Sequence, residues 1–310
     1  MKVTIAGAGF YGSTLAQRVA EAGYAEEVVL TDIVEGRPQG LALDIMQSRP
    51  LVGFETRVTG TNSYGETAGS DICVITAGVP RKPGMSRMDL LETNARIVAD
   101  VTRRLVAESP GTTLIVVSNP LDEMTALAAT VSGLPHPQVM GQAGMLDTAR
   151  FRHFLAERLG VATSEVAAMT LGSHGETMVP VASQVTVAGR PLTEVLDPSG
   201  VEEIVQRTRD GGAEIVALLK TGSAYFAPAA AAEAMVRAVA TDTGEMQPVS
   251  AWVDGAYGIE GVYLGVPARL GRGGVTEVVE LALEEGEVAA LRAAAASVRV
   301  KQQEVAGLVS

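Results

Sequence analysis

The short apolar run Lys2–Ala6 gives way to Gly7-Ala8-Gly9-Phe10-Tyr11-Gly12, after which Ser13–Ala22 continues at helical period. Few architectures let a strand pass through three glycines straight into a helix. Gly7 suits a tight turn, Gly9 lets a ligand approach the backbone, and Gly12 lets helix and strand pack together. The helix directs its free N–H groups and positive end at the turn, which favours a pyrophosphate there. Glu27–Asp32 reads as the second strand, and Asp32 stands 20 residues after Gly12. A carboxylate at that point accepts hydrogen bonds from the adenosine ribose hydroxyls and repels a 2′-phosphate. NAD is therefore favoured over NADP. The expected cofactor contacts are Gly7, Ala8, Gly9, Phe10, Tyr11, Gly12 and Asp32. A nucleotide site does not by itself define a reaction.

Asp71–Ala77 and Thr112–Ser118 are further apolar, β-branched runs, with a long helical stretch from about Asp89 to Glu108 between them. Strands alternating with helices imply an α/β, Rossmann-type doubly wound parallel sheet. Cys73 lies inside the first of these runs and is expected to be a small buried hydrophobe. The alternation stops near Gly141-Gln-Ala-Gly144. Beyond it come a helix over Asp147–Leu159, β-rich segments over Val166–Thr170 and Val179–Val187, and helical stretches near 200–209, 211–222 and 224–240. Strands near 247–254 and 260–266 and a last helix from about Glu284 close the chain. Segregated strands and helices suggest an α+β second lobe, as does a length of 310 residues, beyond what one core usually serves. The expected lobes are 1–141, binding NAD, and 142–310, carrying the substrate chemistry.

A net charge of −12 disfavours a nucleic-acid partner. No apolar stretch approaches the ~20 residues that span a bilayer, so no membrane association is expected and the cytoplasm is the default compartment. An acidic protein must draw an anionic substrate in with a local basic cluster, and Pro80-Arg-Lys-Pro-Gly-Met-Ser-Arg87 supplies one after the strand ending at Ala77. Its prolines, glycine and Met85 suit a lid that excludes water. His136, between two prolines, and His153, beside Arg152, have bland surface readings. His174, in Leu171-Gly-Ser-His-Gly175, follows a predicted strand and is presented by glycine, and an imidazole of pKa near ~6.5 is the natural acid–base group. Asp147 and Arg150, three apart at the predicted start of a helix, share a face. Asp147 is suited to hold an imidazolium and Arg150 to fork onto a carboxylate, the plainer alternative being a surface ion pair.

Many segments in order resemble the lactate/malate dehydrogenase family over essentially the full length, in particular its lactate-dehydrogenase-like bacterial branch. They are Gly7–Gly12, Asp32-Ile-Val-Glu-Gly36, Gln39-Gly-Leu-Ala-Leu-Asp44, Ala77–Arg87, Ser118-Asn-Pro-Leu-Asp122, Gly141–Gly144, Leu146–Arg152, Gly172-Ser-His-Gly175 and Gly222-Ser-Ala-Tyr225. The resemblance implies reversible, NAD-dependent oxidation of (S)-malate to oxaloacetate. His174 would take the hydroxyl proton, with its tautomer fixed by Asp147. Arg87 would polarise the carbonyl of oxaloacetate, Arg150 would bind the adjacent carboxylate, and Asn119 would hydrogen-bond the reacting oxygen. Asn94, Val117, Ser118 and Asn119 match cofactor-contacting positions, and no metal is implied.

The resemblance makes Arg81 the residue that selects the substrate. Lactate enzymes of the family carry glutamine there, whereas a buried guanidinium needs the second carboxylate of oxaloacetate. A lactate or other 2-hydroxyacid dehydrogenase is the alternative enzyme. A redox-sensing NAD(H)-binding protein is the non-enzymatic one, and it would not need His174, Asp147, Arg87 and Arg150 together. Ser173 and Glu176 depart from the family's usual residues, with altered loop packing the expected result. The family forms dimers and tetramers. The small apolar faces between Ala213 and Ala240 suit helix contacts, and a homotetramer is expected.

Overall fold

The computed structural model describes residues 1–79, 87–175 and 177–308, and the Arg87 side chain lies outside that description. The first lobe runs β1 (Lys2–Ala6), α1 (Phe10–Ala22), β2 (Glu27–Thr31), α2 (Arg37–Val52), β3 (Arg57–Thr61), β4 (Ile72–Ile75) and α3 (Arg87–Glu108). It continues with β5 (Thr113–Val116), α4 (Leu121–Ser132) and β6 (Val139–Gly141). All six strands are parallel, in the order β3-β2-β1-β4-β5-β6. Val3, Ile5, Cys73, Val74, Leu114 and Ile115 are fully buried, as parallel strands covered on both faces require. The chain leaves β1 for β2 on one side and meets β4 on the other. The crevice beyond the carboxyl ends of β1 and β4 is the switch point where such sheets bind ligands.

The second lobe contains α5 (Ala143–Leu159), β7 (Val166–Ala167), β8 (Thr170–Gly172), β9 (Met178–Pro180), β10 (Thr186–Val187), β11 (Arg190–Pro191) and α6 (Leu192–Val195). After these come α7 (Pro198–Leu219), α8 (Phe226–Ala240), β12 (Glu245–Val253), β13 (Val262–Gly271), β14 (Gly274–Val278) and α9 (Glu285–Ala306). The sheet does not stop at the lobe boundary. β6 meets β12 antiparallel, Gly141 opposite Ser250, and the order continues β12-β13-β8-β9 with β14 on the end of β13. A small separate sheet, β11-β10-β7, lies apart. The α/β doubly wound lobe and the mixed second lobe agree with the fold class expected from sequence.

The structure departs from the sequence reading in several details. The stretches near 200–209 and 211–222 form the single helix α7, which runs through Gly211 and Gly212. Two mid-helix glycines cost about 1 kcal/mol each relative to alanine. A Cβ on Gly211 would lie 3.1 Å from Arg150 Cδ, and one on Gly212 would lie 3.5 Å from an Arg150 terminal nitrogen. Gly211 therefore leaves room for Arg150, while a Cβ on Gly212 would make only an ordinary contact, and the pair is not a break. Helix α5 begins at Ala143, so Asp147 sits one turn inside it and not at its start. Elements α2, β3, α4, β6, α6 and β14 have no counterpart in the sequence reading, and β11 takes up residues read there as a turn. In α2 only Pro38, Ala42 and Ile45 are buried and Pro50 lies inside, so no apolar period marks it.

The small apolar face of α8 is consumed within the chain. Ala229, Ala232, Met235 and Val236 are fully buried, and α8 packs on α1, where Leu15, Ala16 and Val19 are equally buried. Among the described residues no helix is long and apolar enough to cross a membrane.

Candidate active site

Gly7 has φ +116°, and a Cβ there would meet Thr76 Oγ1 at 2.6 Å, on the segment leaving β4. A Cβ on Gly12 would strike the Gly7 carbonyl oxygen, so both positions require glycine for close packing. Gly9 differs: its Cβ would meet nothing within 4 Å. No side chain caps the N-terminus of α1, whose first-turn N–H groups are left for an external acceptor. Asp32, just past β2, accepts the Ala8 N–H at 2.6 Å and the Val34 N–H at 2.9 Å. Gly7, Gly9 and Asp32 line one cavity of about 640 Å³ with Thr76, Ala77 and Val79. An open cradle at Gly9, uncapped amides and a carboxylate at the strand end together fit a dinucleotide.

Helix α5 and the β8–β9 turn bring the chemistry together. His174 Nδ1 lies 2.8 Å from Asp147 Oδ2, and an Arg150 terminal nitrogen lies 3.5 Å from Asp147 Oδ1. Asp147 is only 1% exposed, so this is not the surface ion pair weighed as the plain alternative. Burial disfavours the imidazolium, yet the Asp147 carboxylate and its hydrogen bond outweigh burial and hold the His174 pKa above its ordinary value. Burial draws the Arg150 guanidinium below its usual value against the pull of Asp147, and Arg150 Nε is buried with no partner among the described residues. His174, Arg150, Asn119, Val117 and Tyr11 line a cavity of about 300 Å³. An imidazole held by a carboxylate at Nδ1 keeps Nε2 for proton exchange. A half-satisfied guanidinium beside it offers a fork to an anion.

The other expected residues are placed as follows. Asn94 is 2% exposed. Its amide accepts the Val79 N–H at 2.9 Å and donates to the Asn119 carbonyl at 2.7 Å, so it braces the loops beside the cofactor cavity. Ser118 donates to the Ala77 carbonyl at 2.5 Å and does the same work. Ala8 is buried and Phe10 exposed. Arg81 and Glu176 lie outside the described residues, and Arg87 opens α3. Ser173 Oγ pairs with Thr177 Oγ1 at 2.6 Å.

Sequence reasoning gave Asp122 no role. It is 2% exposed in the first turn of α4. One of its oxygens accepts the His174 backbone N–H at 3.0 Å and the other the Ser250 hydroxyl at 2.7 Å. Burial pushes its carboxyl up to about 7, against the two donors that favour the charge. His174 is thus held by one carboxylate at its ring and another at its backbone. Asp122→Ala is expected to lower the unfolding free energy by about 2–5 kcal/mol, because two buried donors lose their acceptor. Urea denaturation measures it, and a loss under about 0.5 kcal/mol, the surface-substitution range, would contradict this account.

Residues 1–141 match the lactate/malate dehydrogenase NAD-binding domain, and residues 144–307 match the lactate/malate dehydrogenase alpha/beta C-terminal domain. The chain belongs to the lactate/malate dehydrogenase family. It is 53% identical over 298 residues to the malate dehydrogenase of Nostoc punctiforme, covering 96% of this chain and 91% of that one. The malate dehydrogenase structure from Salinibacter ruber superposes with a TM-score of 0.95 at 48% identity, covering 99% and 98% of the two chains. The lactate dehydrogenase of Cryptosporidium parvum, complexed with lactic acid and β-nicotinamide adenine dinucleotide, superposes at 0.94 with 41% identity, covering 98% and 97%. Backbone likeness therefore extends to both activities, and the choice of substrate falls to particular side chains.

Proposed function

We propose that this chain catalyses the reversible NAD-dependent oxidation of (S)-malate to oxaloacetate. The carrying observation is His174, paired behind with the buried Asp147, on the wall of a cavity shared with Arg150 and Asn119. Relatives with the malate activity at about half identity over nearly the whole length support the substrate. In this reading Arg150 forks onto the carboxylate beside the reacting carbon, and Asn119 hydrogen-bonds the reacting oxygen. His174 Nε2 takes the hydroxyl proton during oxidation and returns it during reduction. Asp147 fixes the tautomer and stabilises the imidazolium. Arg87 polarises the carbonyl of oxaloacetate, and Arg81 pairs with its distal carboxylate. When bound, NAD supplies the hydride acceptor. Gly7–Gly12 and Asp32 hold it, while Asn94 and Val117–Asn119 shape the wall beside it.

The proposed lobes are 1–141 and 142–310, a division that the two family segments and the change of topology after β6 support. The same reading makes the protein a cytoplasmic enzyme of the tricarboxylic acid cycle without nucleic-acid or membrane partners. A homo-oligomer, a tetramer before a dimer, is part of it. Exposed Leu43, Leu51 and Val52 on α2 and Leu218 and Leu219 on α7 support self-association. The direct test is initial rates of NADH oxidation with oxaloacetate, pyruvate and a branched 2-oxoacid. Oxaloacetate is expected to lead by about 10³ in kcat/KM, and equal efficiency with pyruvate would overturn the reading.

A further inference from the structure

Phe10 is the first residue of α1, immediately after Gly9, and its ring is 71% exposed. It is not idle. The ring stacks on Tyr225 at a centroid separation of 5.4 Å and 25° between planes, and Tyr225 in turn lies 4.4 Å from Phe226. Tyr225 caps the start of α8. The residues just before it, Ser223 and Ala224, are part of the wall of the His174 cavity.

A second contact runs in parallel. The Tyr11 hydroxyl donates to the Pro228 carbonyl in the first turn of α8 at 2.8 Å, and the Gln142 amide donates to the same oxygen at 2.7 Å. By contrast, Thr221–Ala224 makes no backbone hydrogen bond of its own among the described residues, and Lys220 and Gly222 at its base have φ +61° and +83°. The wall is a short span between α7 and α8, fixed from outside itself. Two consecutive residues of the glycine turn, Phe10 and Tyr11, share that fixing with Gln142.

We infer that the Phe10–Tyr225 stack is a clasp through which the dinucleotide turn positions the Ser223–Ala224 wall of the substrate cavity. Neither ring is placed to touch the reacting atoms, so both are positioning residues. A cofactor seated against Gly9 holds the first turn of α1 in place, the clasp passes that order to Tyr225, and the wall next to it takes its substrate-binding form. The inference rests on the proposed reading of the cavity as the substrate site.

The test is steady-state kinetics with oxaloacetate and NADH, together with NADH affinity by fluorescence titration. Phe10→Ala and Tyr225→Ala are each expected to raise the KM for oxaloacetate roughly threefold to tenfold, the range one aromatic pair supports. NADH affinity should stay within about twofold in Tyr225→Ala, which leaves the Gly7–Gly12 turn and its backbone amides untouched. The double variant should be no worse than the worse single one, since a clasp is lost only once. Phe10→Tyr, which keeps a stacking ring, should restore the KM. Additive losses, an unchanged KM in both single variants, or an NADH affinity that falls in step with KM in Tyr225→Ala would overturn the clasp. Phe10 is exposed and Tyr225 half-buried, and urea denaturation of each variant confirms that the fold is kept. His174→Ala separates the underlying reading: if it turns over normally the site assignment fails, and if it is inactive while both clasp variants are normal, the clasp alone fails.

Discussion

Replacing His174 with alanine is expected to lower kcat by about 10²–10⁴ in both directions while leaving NADH binding intact, the range for removal of a positioned acid–base group. The pH dependence gives a sharper form of the same test. In the proposed mechanism reduction of oxaloacetate needs the imidazolium, so its kcat/KM should be level below the His174 pKa and fall as pH rises through it. Oxidation of malate needs the neutral ring and rises through the same pKa. That pKa lies above the ordinary imidazole value, because the Asp147 charge and hydrogen bond outweigh burial. Asp147→Asn removes the charge and leaves burial in place, so the limb for reduction should move to lower pH. An unmoved limb in that variant would mean that Asp147 does not set the proton affinity of His174.

The second large effect concerns substrate choice. Arg81→Gln is expected to reduce the preference for oxaloacetate over pyruvate by about 10³-fold or more, roughly 4 kcal/mol. In the proposed reading, pyruvate leaves the Arg81 guanidinium no carboxylate to meet, and the cost of a charge without a partner falls on the transition state. Glutamine removes both the penalty with pyruvate and the bidentate attraction for the second carboxylate. Matched kcat/KM measurements on the two substrates check it. A variant that kept its full preference would leave the dehydrogenase standing and remove Arg81 from the account of specificity.

What could be read from the sequence followed from how local each signal was. The glycine turn, the strand before it and Asp32 sit within a few dozen residues, and their geometry is dictated by backbone sterics. The buried strands β4 and β5 announce themselves as unbroken β-branched runs. Helix α2 has no such period because most of its surface is exposed, and α7 was divided because Gly211-Gly212 reads as punctuation until Arg150 is seen lying across it. Asp122 was invisible for a related reason. Its two partners, His174 and Ser250, are 52 and 128 residues away, so only the folded chain shows what it holds. Asp147 and Arg150 were legible as neighbours by helical spacing, but their burial, which makes them more than a surface pair, was not.

The antiparallel seam between β6 and β12 bears on how the molecule could ever be divided. Cut at residue 141, the first lobe would retain its six parallel strands but present β6 as a raw edge, open to pairing with any strand of another chain. It would also strip α1 of the helix α8 that packs on it in the whole chain. The two lobes are therefore poor building blocks for exchange or fusion. The proposed partition follows the change of topology after β6, but one sheet and the α1–α8 packing run across it, so the chain is not modular.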